Sequence, residues 1–301
     1  MDKILLDTGS SGEDGWSSSQ VYLRCLRKAR LKKAGYQDGS RAPLIKGSLV
    51  HVGLAHYYAR LQADQNGWDP DRYYTPAGAI AKVAEKNGPA WLEHRLLADK
   101  AVAGYQRRMS AYPERVVAVE HLVEMEIPTT FGDSHPDPND GELARLRHLL
   151  ACELPPTVTH RARIDLICET PDGRYVIRDH KTQSNPNARG TAPFDLSGQV
   201  VGLSWWGQRE YGDKFAGVEI GAVNLTTGRI DFRTPRMAPH AVAEWPKMRT
   251  WVEVVKLTAR ALYADGMDHP MALSDQGPCL DRYGPCGFRD SCRMGIAEGE
   301  S

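Results

Sequence analysis

Net charge is the first thing this chain lacks: 38 Lys and Arg stand against 38 Asp and Glu. That excludes a surface that is basic or acidic throughout, but it leaves room for charge concentrated locally. No apolar run reaches the roughly eighteen residues that a membrane-spanning helix needs. The opening stretch "MDKILLDTGSSGEDGW" has too short an apolar run for a secretory signal, so a cytoplasmic location without membrane attachment is expected. Internal repeats and low-complexity segments are absent. Cysteine is scarce, with six residues in 301, and in a reducing compartment these are expected to be thiols or metal ligands rather than disulfides. What remains is ordinary for a globular protein: 41% hydrophobic and 25% charged residues, in a length that suits one large domain or two small ones.

Helical patterns dominate the first third. "SSSQVYLRCLRKARLKKAG" reads as one capped helix, and "RCLRKARLKK" puts Arg24, Arg27 and Lys28 among six cations with no acid. Such a stripe is either a solvated helix face or a surface for phosphates. "KGSLVHVGLAHYYARLQA" reads as a second helix, and the stretch from Pro76 to Pro113 as further helix broken near Gly88-Pro89. "RVVAVEHLVEMEIP" alternates like a strand; "THRARIDLICE" and "RYVIRDHKT" follow as two more. A helix over "DLSGQVVGLSWWGQREYG", a strand pair around Thr227-Gly228, a long closing helix from Pro239 and a cysteine-rich tail complete the chain. This order predicts an α/β fold with one central mixed sheet flanked by helices.

The most informative stretch is "RIDLICETPDGRYVIRDHK". Pro171-Asp172-Gly173 has the chemistry of a three-residue hairpin loop: proline at the first turn position, glycine at the left-handed one. With Thr170 and Arg174 flanking the loop, Asp165 falls directly across from Asp179, and Lys181 shares the face of Asp179. Directly opposed carboxylates, with Cβ atoms about 5 Å apart, repel one another unless a cation lies between them. Hard oxygen ligands favour Mg²⁺ or Mn²⁺. A lysine beside them can orient a water or stabilise charge building on a phosphate.

Taken with their neighbours, these residues resemble the PD-(D/E)xK nuclease superfamily, in particular its RecB-like branch of phage and bacterial exonucleases. The likeness runs through "GSLVH" (Gly47, His51), "AVEHLVEMEI" (Glu120), "RID" (Asp165), "DHKT" (Asp179, Lys181) and "SGQVVGL" (Gln199), with the opening helix from Ser19 to Cys25. It implies a restriction-endonuclease-like core. In that core His51, Asp165 and Asp179 would ligate metal, with the backbone carbonyl of His180 and Glu120 as further ligands. Lys181 would be the catalytic lysine, and Gln199 would hold the lysine or DNA. Where the branch often carries a tyrosine four residues after that glutamine, this chain has Leu203; Tyr211 or the Trp205-Trp206 pair is left as its substitute. His56 reads as structural.

Residues 1–15 are expected to be a flexible N-terminus. Residues 16–270 are expected to form the nuclease domain, with a helical part at 16–115, a catalytic core at 116–235 and a closing helix at 240–265. Residues 271–301 are expected to be a tail packed back on the first helix. The resemblance further implies that Cys279, Cys286 and Cys292 join Cys25 around a [4Fe-4S] cluster; four thiolates also suit Zn²⁺, and unligated thiols remain open. Cys152 and Cys168 read as buried thiols.

The expected activity is metal-dependent hydrolysis of DNA at its ends, in recombination, repair or phage DNA metabolism. It would take place in the bacterial or host cytoplasm. Arg24, Arg27, Lys28, Arg161, Arg163 and Tyr211 are the expected DNA contacts, and a recombination protein is a compatible partner. A non-catalytic DNA-binding subunit and an endonuclease of the same superfamily are the alternatives.

Overall fold

A computed structural model describes residues 3–9, 11–33, 42–112, 114–129, 154–183, 197–264, 280–281 and 284–285. Cys152, Cys279, Cys286 and Cys292 lie outside them. Contacts divide the chain into two units: Met1–Ser10, Ser40–Val123 and Ala162–Ala243 form the first, and Ser11–Gly39, Glu124–Arg161 and Glu244–Ser301 the second.

A five-stranded sheet runs β1 (Arg115–Pro128), β2 (Thr157–Glu169), β3 (Tyr175–Gln183), β4 (Phe215–Asn224) and β5 (Ile230–Arg233), paired in that order. β2–β3 and β4–β5 are antiparallel, β3–β4 parallel, so the sheet is mixed. The parallel pair needs a crossover. It contains α7 (Gly198–Tyr211), numbered after α1 (Trp16–Arg24), α2 (Leu26–Lys33), α3 (Ala42–Gln65), α4 (Pro76–Asn87), α5 (Pro89–Leu92) and α6 (Arg95–Met109). After β5 come α8 (Pro239–Ala243), α9 (Trp245–Ala264) and a two-stranded ribbon, β6 (Leu280–Asp281) with β7 (Gly284–Pro285). Among the described residues, no helix is long and apolar enough to cross a membrane.

The first unit buries its apolar face between helices and sheet. Leu49, Leu54 and Tyr58 of α3, Ile80 of α4, Val102 and Tyr105 of α6, and Leu166 and Val223 of the strands form one cluster. The β2–β3 hairpin follows the turn chemistry: Thr170 N–H donates to the Arg174 carbonyl at 2.8 Å, and Gly173 takes φ 77°. Its register runs from Glu169↔Tyr175 to Leu166↔Arg178. One further step sets Asp165 across from Asp179, as the loop length implies.

Two expected helices are broken instead. Cys25 leaves helical geometry (φ −161°, ψ 109°) between α1 and α2. There it works as an N-cap: its carbonyl accepts from Ala29 N–H at 3.1 Å and its Sγ from Lys28 N–H at 3.4 Å. The closing helix divides at Glu244, because Pro246 has no N–H to continue a helix but fits the first turn of a new one. Within the second unit, α9 is tied to α1 by Arg249, which donates from Nη1 to Ser19 Oγ at 2.8 Å and from Nη2 to Glu253 Oε1 at 2.9 Å. Trp245 meets the ring of His160 edge to face at 4.9 Å; burial pushes the imidazole of His160 down to about 3, so it packs there neutral.

Candidate metal centre

All of the residues that carry the nuclease resemblance from His51 to Gln199 lie in the first unit. α3 comes close to β3 because Gly47 has no side chain: a Cβ there would sit 3.1 Å from Thr182 Oγ1. His51, one turn later on the same face, thereby reaches β2, with Nδ1 3.5 Å from Asp165 Oδ2.

Glu120 joins them from β1, by an unusual route. Its φ is 48°, and no other non-glycine among the described residues has a positive φ. A left-handed conformation costs an ordinary residue about 1–2 kcal/mol. Backbone strain held at a cluster of ionisable groups is a mark of function. Ligand atoms of His51, Glu120 and Asp165 all lie within 4.8 Å of one another. Donor atoms gathered this closely can converge on one divalent ion. Two hard carboxylates with one imidazole suit Mn²⁺ at least as well as Mg²⁺.

The electrostatics of this cluster favour filling it with positive charge. Burial, then the charge of Asp165, pushes the Glu120 carboxyl up to about 9. Burial also raises Asp165, and neighbouring Asp179 adds to that rise. Asp165 Oδ2 accepts the main-chain N–H of His180 at 2.7 Å.

Asp179, expected as a ligand, faces a different group. Lys181 Nζ lies 2.7 Å from its Oδ2 and 3.0 Å from its Oδ1. Gln199, at the start of α7, donates from Nε2 to the same Oδ1 at 2.9 Å, while its Oε1 lies 3.5 Å from Lys181 Nζ. The carboxylate of Asp179 is only 3% exposed and the lysine 33%, so a buried anion holds a half-open cation beside the triad.

Sequence reasoning missed what lies behind this row. The ring of His180, 2% exposed, is gripped from three sides. Tyr58 stacks on it at 5.9 Å, and Tyr105 Oη meets its Nε2 at 3.0 Å, with Tyr58 Oη hydrogen-bonded in turn to Tyr105 Oη. On the third side Gly221 admits the ring; a Cβ there would fall 2.9 Å from His180 Cδ2. Burial, then the charge of His51, holds His180 well below its ordinary value and therefore neutral. Tyr58 stands seven residues after His51, two turns along the same face of α3, and that spacing was the signal available. Tyr105→Phe leaves the imidazole and Tyr58 short of a buried partner. The expected results are a loss of about 1–3 kcal/mol in unfolding free energy and a roughly 10–100-fold weaker Mn²⁺ affinity in a calorimetric titration.

The expected DNA contacts are distributed differently. Arg163, on the strand face of Asp165, donates to the Asp7 carbonyl at 2.7 Å and to its Oδ2 at 2.9 Å. Arg24, Arg27, Lys28 and Arg161 belong to the second unit, where Arg161 Nε donates to Glu124 Oε2 at 2.7 Å. Tyr211 stacks on Tyr175 at 4.3 Å. His56 is fully buried, accepts the Leu6 N–H on Nε2 at 3.1 Å, and is pushed down by burial to about 4. Cys168 is buried, its thiol pushed up by desolvation.

No curated protein matches the chain. A family model described as the PD-(D/E)XK nuclease superfamily matches residues 16–293, nearly the whole length. With a mixed five-stranded sheet, flanking helices and a His/Glu/Asp cluster that fits a divalent ion, the chain belongs to the PD-(D/E)XK nuclease superfamily.

Proposed function

We propose that this protein is a Mg²⁺- or Mn²⁺-dependent deoxyribonuclease that degrades DNA from its ends. The observation that carries the reading is the convergence of His51, Glu120 and Asp165 within 4.8 Å, next to a lysine paired with Asp179. When bound, the cation polarises the scissile phosphate and makes a water nucleophilic at neutral pH. His51, Glu120 and Asp165 would hold it, with the carbonyl of His180 as a further ligand. Asp179 and Gln199 aim the Lys181 ammonium at the attacking water and at charge developing on the phosphoryl oxygens. Lysine and arginine contacts to the phosphate backbone would bind DNA with little regard to sequence.

Action at ends rests on the likeness of "GSLVH", "RID", "DHKT" and "SGQ" to the RecB-like exonucleases. The test is cleavage of linear against covalently closed circular DNA. Loss of the linear form alone is expected; nicking or cutting of circles overturns the exonuclease mode in favour of an endonuclease.

A second metal centre in the tail has one structural feature in its favour. The β6–β7 ribbon, paired Leu280↔Pro285 and Asp281↔Gly284, is bracketed in sequence by Cys279 and Cys286. These thiols with Cys25 and Cys292 are proposed to hold a [4Fe-4S] cluster, with Zn²⁺ as the alternative. Elemental analysis of protein purified without oxygen decides: about four irons per chain for the cluster, about one zinc for the alternative, neither if the thiols are unligated.

A further inference from the structure

We infer that Trp206, with His121 facing it, forms a stacking platform for a base of an unpaired strand next to the metal centre. The inference rests on the nuclease reading, and it names the form of nucleic acid the site takes. Trp206 stands seven residues after Gln199 on α7, so both side chains leave the same helix face, about 10 Å apart along the axis. Gln199 touches Asp179 at that end of the face. From the other side, His121 is the residue after Glu120, where the chain leaves its left-handed turn. The His121 and Trp206 rings lie 6.3 Å apart and inclined by 47°, so neither covers the face of the other. His121 is exposed and Trp206 half-buried.

The platform is buttressed. Tyr211 meets Trp206 edge to face at 5.7 Å, and Tyr175 stacks on Tyr211 at 4.3 Å behind it. An indole held this way loses little freedom when a base settles on it. Trp205 is a poorer platform, because the guanidinium of Arg209 lies over its ring at 4.8 Å. Bases have a π face whatever their sequence, but in a duplex that face is occupied by neighbouring pairs. A platform beside the cation therefore selects a single-stranded end over a blunt duplex without reading sequence.

The test measures binding and cleavage separately, on the full-length protein. Binding of a labelled single-stranded oligonucleotide is followed by anisotropy in EDTA; cleavage is followed at saturating Mn²⁺ on the same strand, on a blunt duplex and on an abasic strand. Trp206→Ala is expected to raise Kd and KM for the single strand roughly 5- to 150-fold, the worth of one base–aromatic stack. kcat and the abasic-strand KM are expected to stay within about twofold. His121→Ala, at an exposed position that tolerates truncation, is expected to shift Kd and KM in the same direction by a smaller factor, so the inference stays testable if Trp206→Ala does not fold. Unchanged single-strand Kd and KM in both variants, or an equal loss on the abasic strand, overturns the platform while leaving the nuclease reading intact. No cleavage by the wild-type protein overturns the nuclease reading, and the EDTA binding comparison then decides the platform by itself.

Discussion

Lys181→Ala is expected to lower kcat for DNA cleavage by about 10²–10⁴-fold, the span covered by loss of a positioned proton-transfer or charge-stabilising group. Lys181 Nζ lies within 3.0 Å of both oxygens of Asp179 and stands beside, not inside, the His51–Glu120–Asp165 triad. Its removal should therefore spare metal binding, and the Mn²⁺ affinity is expected to stay within a few-fold. A smaller effect on stability accompanies the change. The Asp179 carboxylate is 3% exposed and keeps only the Gln199 amide, which costs about 1–3 kcal/mol. Lys181→Arg is not expected to rescue the rate, because a planar fork cannot place one ammonium over Asp179 and the attacking water together. Single-turnover rates with thermal unfolding of the same preparations check this. A rate within tenfold of wild type in the alanine variant removes Lys181 from the chemistry.

Glu120→Gln is expected to separate stability from function. Burial and Asp165 push the Glu120 carboxyl up to about 9 from an ordinary 4.5. An acid whose folded value lies above its unfolded value destabilises the fold once the pH passes the unfolded value, and increasingly so up to the folded one. The metal-free wild type should thus lose stability between pH 4.5 and about 9, by up to roughly 3 kcal/mol at pH 7 at about 1.4 kcal/mol per pH unit. The amide removes this penalty. In EDTA at neutral pH the variant is expected to be more stable than wild type by about 1–3 kcal/mol, a gain that vanishes below pH 4.5. With Mn²⁺ the order reverses: the ion occupies the place of the proton, so wild type gains melting temperature with added metal and the variant gains little. Denaturant unfolding at several pH values, with EDTA and with Mn²⁺, reads both effects. A variant less stable than wild type in EDTA contradicts the assignment of Glu120 as a strained, charge-crowded ligand.

Much of the site was legible because local chemistry fixes it. Pro171-Asp172-Gly173 admits one loop length, and that length alone brings Asp165 opposite Asp179. Gly47 and His51 stand out through the "GSLVH" likeness, while the close approach to Thr182 that the glycine permits shows only in the fold. The mixed sheet with flanking helices follows from the order of periodic segments. Other features had no local signal. The alternating pattern of "RVVAVEHLVEMEIP" gives no hint that the backbone inverts at Glu120, since the inversion is imposed by what the site requires rather than by glutamate's preference. Cys25 interrupts a run of good helix formers, and only its capping bond to Lys28 explains the break. The grip on His180 comes from Tyr58, Tyr105 and Gly221, which are far apart in sequence and meet only when α3, α6 and β4 pack. The break before α9 is signalled by Pro246, which the longer apolar periodicity masks.

Cleavage of a labelled linear DNA by the purified protein tests the central claim most directly, run with Mg²⁺, with Mn²⁺ and with EDTA, beside Asp165→Ala. The account predicts degradation with either ion, none with EDTA and none by the variant, whose folding is verified by its unfolding transition. Cleavage that persists in EDTA, or a folded Asp165→Ala protein that cuts at the wild-type rate, contradicts a metal-dependent centre built on His51, Glu120 and Asp165.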